Sequence, residues 1–242
     1  MVRPAFLLAA ACALLLAAAA PAPAQQIDVD LELVLAADGS GSIDNQELAL
    51  QRDGYADAIA DPEIMKFIQG GLTGRIAVAY VEWGGPFSQH TIVDWTVIDG
   101  PESAAAFGAE LRAAPRQATG WNSISNAIDY SVNLVETNRY RGLRKIIDVS
   151  ADGPNIGGRS ITAARDDAVA KGFTINALLV LHREGSLPGR SPEQLVAHYE
   201  RDVIGGMGAF VMTADENRTF AEAVRAKLIL EVARALGMED RL

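Results

Sequence analysis

The chain has 242 residues, of which 31 are acidic and 21 are lysine or arginine, so its formal net charge is −10. This length suits one domain with a substantial core, and no internal repeat or low-complexity segment divides the chain after residue 24. The excess of acidic residues argues against nucleic acid and against an anionic membrane surface as partners.

The first 24 residues have the pattern of a secretory signal peptide. Arg3 supplies the charged start, an apolar run covers 5–20, and small residues over 22–24 suit cleavage. The run is too short for a membrane span, so we expect no transmembrane anchor after cleavage. The one cysteine, Cys12, lies inside it, which argues against a disulfide framework. We therefore expect a domain over 25–242 that is exported and is either periplasmic or secreted.

Strand-like and helix-like segments alternate along the remaining chain. The predicted strands cover 28–37, 75–83, 90–98, 145–150, 173–181 and 209–213. The predicted helices cover 44–60, 101–113, 123–136, 161–171, 192–203 and 219–236. This alternation predicts an α/β fold of the doubly wound type, with a mainly parallel central sheet and helices on both faces.

The second and third predicted strands are joined by a short connection over 84–89. A parallel return would need a crossover of a dozen residues or more, so these two strands must be antiparallel. We expect this hairpin to supply one antiparallel edge strand of the sheet. Asp44 followed by Glu47 also predicts the start of the first helix.

The first predicted strand runs directly into Asp38-Gly39-Ser40-Gly41-Ser42. Such a junction at the carboxyl end of a buried strand is where open α/β sheets place their sites. One carboxylate and two hydroxyls stand at alternate positions, so three oxygens can converge on one point. Oxygens of this hard type suit magnesium, manganese or calcium far better than zinc.

Two later segments bring further oxygens to the same edge of the predicted sheet. Asp152 follows the strand over 145–150, and Asn122 lies in a polar loop that leads into a helix. The carboxyl ends of neighbouring parallel strands share one edge, so these loops can border one crevice. The candidate ligands are Asp38, Ser40, Ser42, Asn122 and Asp152.

The first loop resembles the Asp-x-Ser-x-Ser motif of von Willebrand factor A domains, which carry a metal-ion-dependent adhesion site (MIDAS). Those domains add a threonine from a second loop, five residues before a small residue and six before an aliphatic one, and an aspartate from a third. Ala127 and Ile128 put Asn122 at the threonine position, and Asp152 matches the third motif. The resemblance runs from residue 29 to the final helix and points to an uncharacterised bacterial branch of exported single-domain members.

Asn122 is the departure from the family pattern. Its amide oxygen is a hard ligand like a threonine hydroxyl but reaches further. It could ligate directly, act through a water molecule, or leave the role to Thr119 or Ser123. We take Asn122 as the candidate ligand.

The resemblance implies a binding module and not an enzyme. Two carboxylates and neutral hydroxyls leave a divalent cation electrophilic, with room for an oxygen from outside. We expect magnesium, with manganese or calcium as alternatives. The expected partner is a protein or peptide that donates an aspartate or glutamate carboxylate to the metal.

Two other classes of function compete with this interpretation. A metal-dependent or serine hydrolase would need a base, and among the histidines His182 alone, at the carboxyl end of a predicted strand, could face the crevice. A phosphatase of the Asp-x-Asp type would need a second acid where Ser40 stands. A structural domain that has lost metal binding could use Asp38 to cap a helix.

Two further residues lie near the predicted site in the sequence. Asp148 is left outside the site as a buried group, and Trp121 could border the site.

Overall fold

The computed structural model describes residues 26–181, 191–215 and 217–241. The strands are β1 (Ile27–Asp38), β2 (Ile76–Trp83), β3 (Gln89–Ile98), β4 (Tyr140–Ala151), β5 (Phe173–Val180) and β6 (Val211–Ala214). The helices are α1 (Asn45–Ile59), α2 (Pro62–Gln69), α3 (Pro101–Ala113), α4 (Ile124–Glu136), α5 (Ile161–Ala170), α6 (Pro192–His198) and α7 (Phe220–Ala235). A π-helical turn (Tyr199–Val203) continues α6, and a 3-10 turn (Glu239–Arg241) follows α7.

The strands form one six-stranded sheet in the order β3-β2-β1-β4-β5-β6. The pairing of β2 with β3 is antiparallel, and the other strand pairs are parallel. The predicted α/β fold with one antiparallel edge strand is therefore confirmed. This order places the ends of β1 and β4 side by side, because residues 31–37 of β1 pair with 144–150 of β4.

The central strand β1 is buried on both faces, and every residue from Val29 to Asp38 is inaccessible. Leu33 and Leu35 pack on the side covered by α1, α2, α3 and α7. Val34 and Ala36 pack on the opposite side, against α4, α5 and the segment around α6. Helices on both faces of a parallel sheet explain why the β1 sequence is nearly continuous in apolar residues.

Three elements differ from the sequence-based expectation. Helix α2 was not predicted, although Asp61 caps it and Pro62 occupies its first turn, which is a typical start signal. Strand β4 begins five residues before the predicted 145, because residues 140–144 pair with the start of β1. The helix predicted over 192–203 is α-helical as far as His198 and π-helical beyond it.

The predicted signal peptide over 1–24 lies outside the described residues and stays a prediction. Among the residues that the structure describes, no helix is both long and apolar enough to cross a bilayer.

A charged cluster is buried between the sheet and α7. The ammonium of Lys227 lies 2.5 Å from a carboxylate oxygen of Asp148 and 2.5 Å from one of Glu231. Asn176 donates a hydrogen bond of 2.7 Å to the same Glu231 oxygen. Burial, reinforced by the charge of Asp148 and opposed by Lys227, raises the pKa of Glu231. Asp148 is therefore part of the core, as a buried ion-pair partner.

Candidate metal centre

Asp38 ends β1 beneath the first loop and is 1% exposed. Its Oδ1 accepts a hydrogen bond of 2.8 Å from the backbone amide of Ser40. Its Oδ2 is buried and has no hydrogen-bond partner among the described residues. A buried carboxylate oxygen without a partner is costly, so this atom marks a position where a positive group would be stabilised.

The two serines of the first loop present their hydroxyls together. Ser40 is buried, Ser42 is exposed, and their Oγ atoms lie 3.1 Å apart. The loop then enters α1, whose cap is Asp44, with its carboxylate accepting from the amide of Glu47 at 2.8 Å. The alternative in which Asp38 caps this helix is therefore wrong, because Asp44 fills that position.

The second and third loops meet at Asn122 and Asp152. Asn122 is 5% exposed, and its amide nitrogen lies 3.3 Å from a carboxylate oxygen of Asp152. The Ser123 hydroxyl instead donates to the side chain of Asn126 at 2.7 Å, and Thr119 is exposed. Of the three candidates for the second-loop position, Asn122 is the one whose side chain contacts Asp152.

The carboxyl groups of Asp38 and Asp152 influence each other. Burial, followed by the charge of Asp152, raises the pKa of Asp38 to about 7, against the opposing effect of the Ser40 amide and hydroxyl and of the Asp152 backbone amide. Burial and the charges of both aspartates also raise the pKa of the Tyr199 phenol. The five predicted residues lie where β1 and β4 end and where the loop before α4 runs, and the structure shows two side-chain contacts among them, Ser40 with Ser42 and Asn122 with Asp152.

The chemistry of this donor set fits a hard divalent cation. Within the described ranges there is no cluster of three or more His, Cys, Asp or Glu side chains that could hold a metal. The set therefore depends on neutral oxygens beside two carboxylates, which suits magnesium, manganese or calcium better than zinc. A divalent ion would partner the Asp38 Oδ2 atom and cancel the repulsion from Asp152.

Backbone hydrogen bonds hold the first and second loops against each other. The amide of Gly41 donates to the carbonyl of Gly120 at 2.9 Å, and that of Gly39 donates to Trp83 at 2.9 Å. A Cβ at position 39 would lie 2.9 Å from the Cβ of Ala118. Gly120 has a φ of +88°, a left-handed conformation that favours glycine. Close approach thus requires glycine at position 39, and backbone conformation favours it at position 120.

Sequence reasoning missed three residues that support the loops. The guanidinium of Arg116 donates to the carbonyls of Gly39 and Ser40 at 2.9 and 2.8 Å. The side chain of Gln51 donates to the Asp38 carbonyl at 3.2 Å. The buried hydroxyl of Tyr199 donates to the carbonyl of Gly153 at 2.6 Å. No local pattern marks these residues, because each reaches its loop across the fold.

We expect Tyr199→Phe to loosen the third loop, because it removes the hydrogen bond to the residue after Asp152. The free energy of unfolding should fall by about 1 kcal/mol, and amide hydrogen exchange over residues 152–156 should accelerate. Tyr130→Phe is the matched control, since the Tyr130 hydroxyl contacts the Thr91 hydroxyl at 2.9 Å on another part of the molecule. Equal exchange over 152–156 in both variants would contradict the role assigned to Tyr199.

The histidines considered for a hydrolase lie in different places. His90 contacts the hydroxyl of Ser88 at 3.2 Å, and His198 contacts the carboxylate of Asp202 at 2.7 Å. His182, the one histidine expected to face the crevice, lies outside the described residues. Within the described residues, neither His90 nor His198 forms a hydrogen bond with any of the five candidate ligands.

Solved structures show the same fold. The pilus adhesin SpaC from Lactobacillus rhamnosus GG matches with a TM-score of 0.60 at 14% identity, over 88% of this chain and 31% of that chain. A von Willebrand factor type A protein from Catenulispora acidiphila matches with a TM-score of 0.57 at 15% identity, over 87% and 43%. Proximal thread matrix protein 1 from the mussel byssus, with a zinc-occupied MIDAS motif, matches with a TM-score of 0.55 at 15% identity, over 87% and 46%.

The chain thus spans less than half the length of each of these three proteins. At such identities the likeness shows the fold alone, which is that of a von Willebrand factor A domain. No curated protein matches this sequence. A family model described as "Protein of unknown function (DUF1194)" matches residues 28–236. The chain therefore belongs to the DUF1194 family, and its described part is a single von Willebrand factor A-like domain.

Proposed function

We propose that this chain is an exported module that binds a divalent cation and uses it to hold a partner protein. The ligands are Asp38, Ser40, Ser42, Asn122 and Asp152. The observation that carries the proposal is the buried Oδ2 atom of Asp38, which lacks a hydrogen-bond partner in the described structure while the charge of Asp152 acts on the same group. Export to the periplasm or the medium rests on the signal pattern over 1–24.

Magnesium is the expected ion, with manganese and calcium as alternatives. Carboxylate, hydroxyl and amide oxygens are its preferred ligands, and magnesium commonly keeps open positions filled by water. Ser42 is exposed beside the buried Ser40, so the site has a side open to solvent. One carboxylate from a partner can replace water there, because the neutral hydroxyl and amide oxygens donate weakly and leave the ion electrophilic even though the two aspartates balance its formal charge.

Asn122 has two compatible roles at this site. Its amide nitrogen lies 3.3 Å from a carboxylate oxygen of Asp152, a contact that orients that carboxylate. Rotation of the amide would turn its oxygen, an acceptor with two lone pairs, toward the same space, where it could ligate a cation. Asn122 thus acts as a ligand, directly or through water, or as a residue that positions Asp152.

The relatives support an adhesive role over an enzymatic one. SpaC is described as a pilus adhesin, and the mussel protein is described as having a zinc-occupied MIDAS motif. Both descriptions belong to those proteins. Together with the donor set of this chain, they favour metal-dependent capture of a protein over turnover of a substrate.

Thermal unfolding with and without divalent cations tests the proposal. A ligand that binds the folded state must stabilise it, by about 2.7 kcal/mol at a hundredfold excess over Kd. We expect magnesium to raise the melting temperature of the full chain and EDTA to reverse the rise, with manganese and calcium measured in parallel. The same melting temperature under all four conditions would overturn metal binding and favour a structural domain.

A further inference from the structure

We infer that the proposed metal centre is bordered by an apolar docking rim that selects a protein segment in which a single Asp or Glu is flanked by aromatic or aliphatic residues. The rim consists of Phe87, Trp121 and Ile156. This inference rests on the proposed function and deepens it, because it names the chemistry of the partner around the carboxylate that reaches the metal.

The three rim side chains are exposed to an extent that is unusual for large apolar residues. Phe87 is 101% exposed, Trp121 is 69% exposed and Ile156 is 51% exposed. The fully exposed Phe87 ring gains no burial from folding, and the other two side chains gain only part of theirs; clustered exposed apolar residues mark interaction sites. Aromatic residues are also the side chains that most often dominate binding energy at protein interfaces.

The rim residues lie on three loops that are hydrogen-bonded to one another. The amide of Ile156 donates to the carbonyl of Asn122 at 2.6 Å, directly beside Trp121. The amide of Gly85 donates to Thr119 at 2.8 Å, which joins the loop of Phe87 to the loop of Trp121.

The loop of Phe87 also meets the loop of Ile156. A Cβ at Gly157 would lie 3.0 Å from the ring of Pro86, the residue before Phe87. The three loops therefore lie against one another, and two of the proposed ligands adjoin the rim residues in the chain: Asn122 follows Trp121, and Asp152 precedes the segment that carries Ile156.

The charge of this surface indicates what kind of segment it accepts. Residues 84–88, 118–123 and 153–158 contain no Asp, Glu, Lys, Arg or His, although charged residues make up 21% of the chain. The protein as a whole has a formal net charge of −10 and repels strongly acidic chains. A single carboxylate aimed at the cation, with uncharged apolar neighbours over the rim, matches both features.

Peptides of defined sequence test this inference. With magnesium present, we expect acetyl-Gly-Phe-Asp-Leu-Gly-amide to bind at least about tenfold more tightly than acetyl-Gly-Ser-Asp-Ser-Gly-amide. Calorimetry measures the affinity, and a change in Trp121 fluorescence reports contact with the rim. The variant Phe87→Ser/Trp121→Ser/Ile156→Ser should lose the preference and retain the magnesium-induced rise in melting temperature.

The control variant Leu72→Ser/Leu143→Ser removes exposed apolar side chains outside the three rim loops and should keep the preference. Three results would each overturn the rim, provided that magnesium still raises the melting temperature. They are equal affinity for both peptides, a preference that the rim variant retains, and no peptide binding at millimolar concentration. Maltohexaose tests a polysaccharide partner, because sugar rings also stack on aromatic side chains. If the rim bound this uncharged sugar and neither peptide, the proposal of a protein partner would be wrong. If magnesium does not change the melting temperature, the proposed metal centre is wrong, and the rim proposal that rests on it is wrong too.

Discussion

Asp38→Asn is expected to abolish the rise in melting temperature that magnesium produces, while the cation-free protein stays folded. Asparagine has almost the shape of aspartate, and its side-chain oxygen can still accept from the amide of Ser40, as Asp38 does at 2.8 Å. The charge that binds the cation is lost. The substitution also removes a negative charge that burial and the charge of Asp152 both disfavour. Without magnesium, the variant should therefore be at least as stable as the parent.

Calorimetric titration with magnesium gives the direct comparison, and thermal unfolding gives the stability of each form. The matched control is Asp94→Asn, since Asp94 is an exposed carboxylate on the edge strand β3. That variant should keep the full response to magnesium. An Asp38→Asn protein that binds magnesium with unchanged affinity would show that Asp38 is not a ligand.

Lys227→Met is expected to have the largest effect on stability. The lysine is fully buried and partners both Asp148 and Glu231 at 2.5 Å. Its removal leaves two buried carboxyl groups without a counter-charge, and breaking a buried pair in this way costs about 3–5 kcal/mol. Denaturant-induced unfolding of the purified variant, compared with the parent protein, measures this loss.

Two further variants separate charge from packing. Lys171→Met removes an ion pair with Glu136 in which both side chains are exposed, and it should cost no more than about 1 kcal/mol. Adding Glu231→Gln to Lys227→Met removes one of the stranded charges and should recover part of the loss. A Lys227→Met protein that loses no more stability than Lys171→Met would refute the importance of the buried cluster.

Most of the fold follows from local patterns. The alternation of strands and helices, and the short connection over 84–89, were sufficient to predict the parallel sheet and its antiparallel edge. The capping pair Asp44 and Glu47 marked the start of α1. Helix α2 was missed because it has only eight residues, although its start signal is present and its buried residues 64, 65, 67 and 68 follow a helical period. The early part of β4 was missed because its sequence becomes a strand only through pairing with β1.

The candidate ligands were predictable for a similar reason. Asp38, Ser40 and Ser42 belong to one short motif, Asp152 follows a predicted strand end, and the resemblance to von Willebrand factor A domains implied Asn122. The supporting residues were not predictable. Arg116 contacts the first loop across 76 and 77 residues of chain, and Tyr199 contacts the third across 46. Contacts of that range leave no periodic trace near either partner.

The sequence by itself determined the order of the elements and the oxygen-bearing residues at the strand ends, because helix and strand periods and capping signals are local properties. The tertiary structure alone decided which of those residues meet. It set Asn122 against Asp152, left the Oδ2 of Asp38 without a described partner, and exposed Phe87 beside the loop of Trp121. The physical reason is that strand order and side-chain direction, which bring distant residues together, depend on the packing of the whole sheet and its helices.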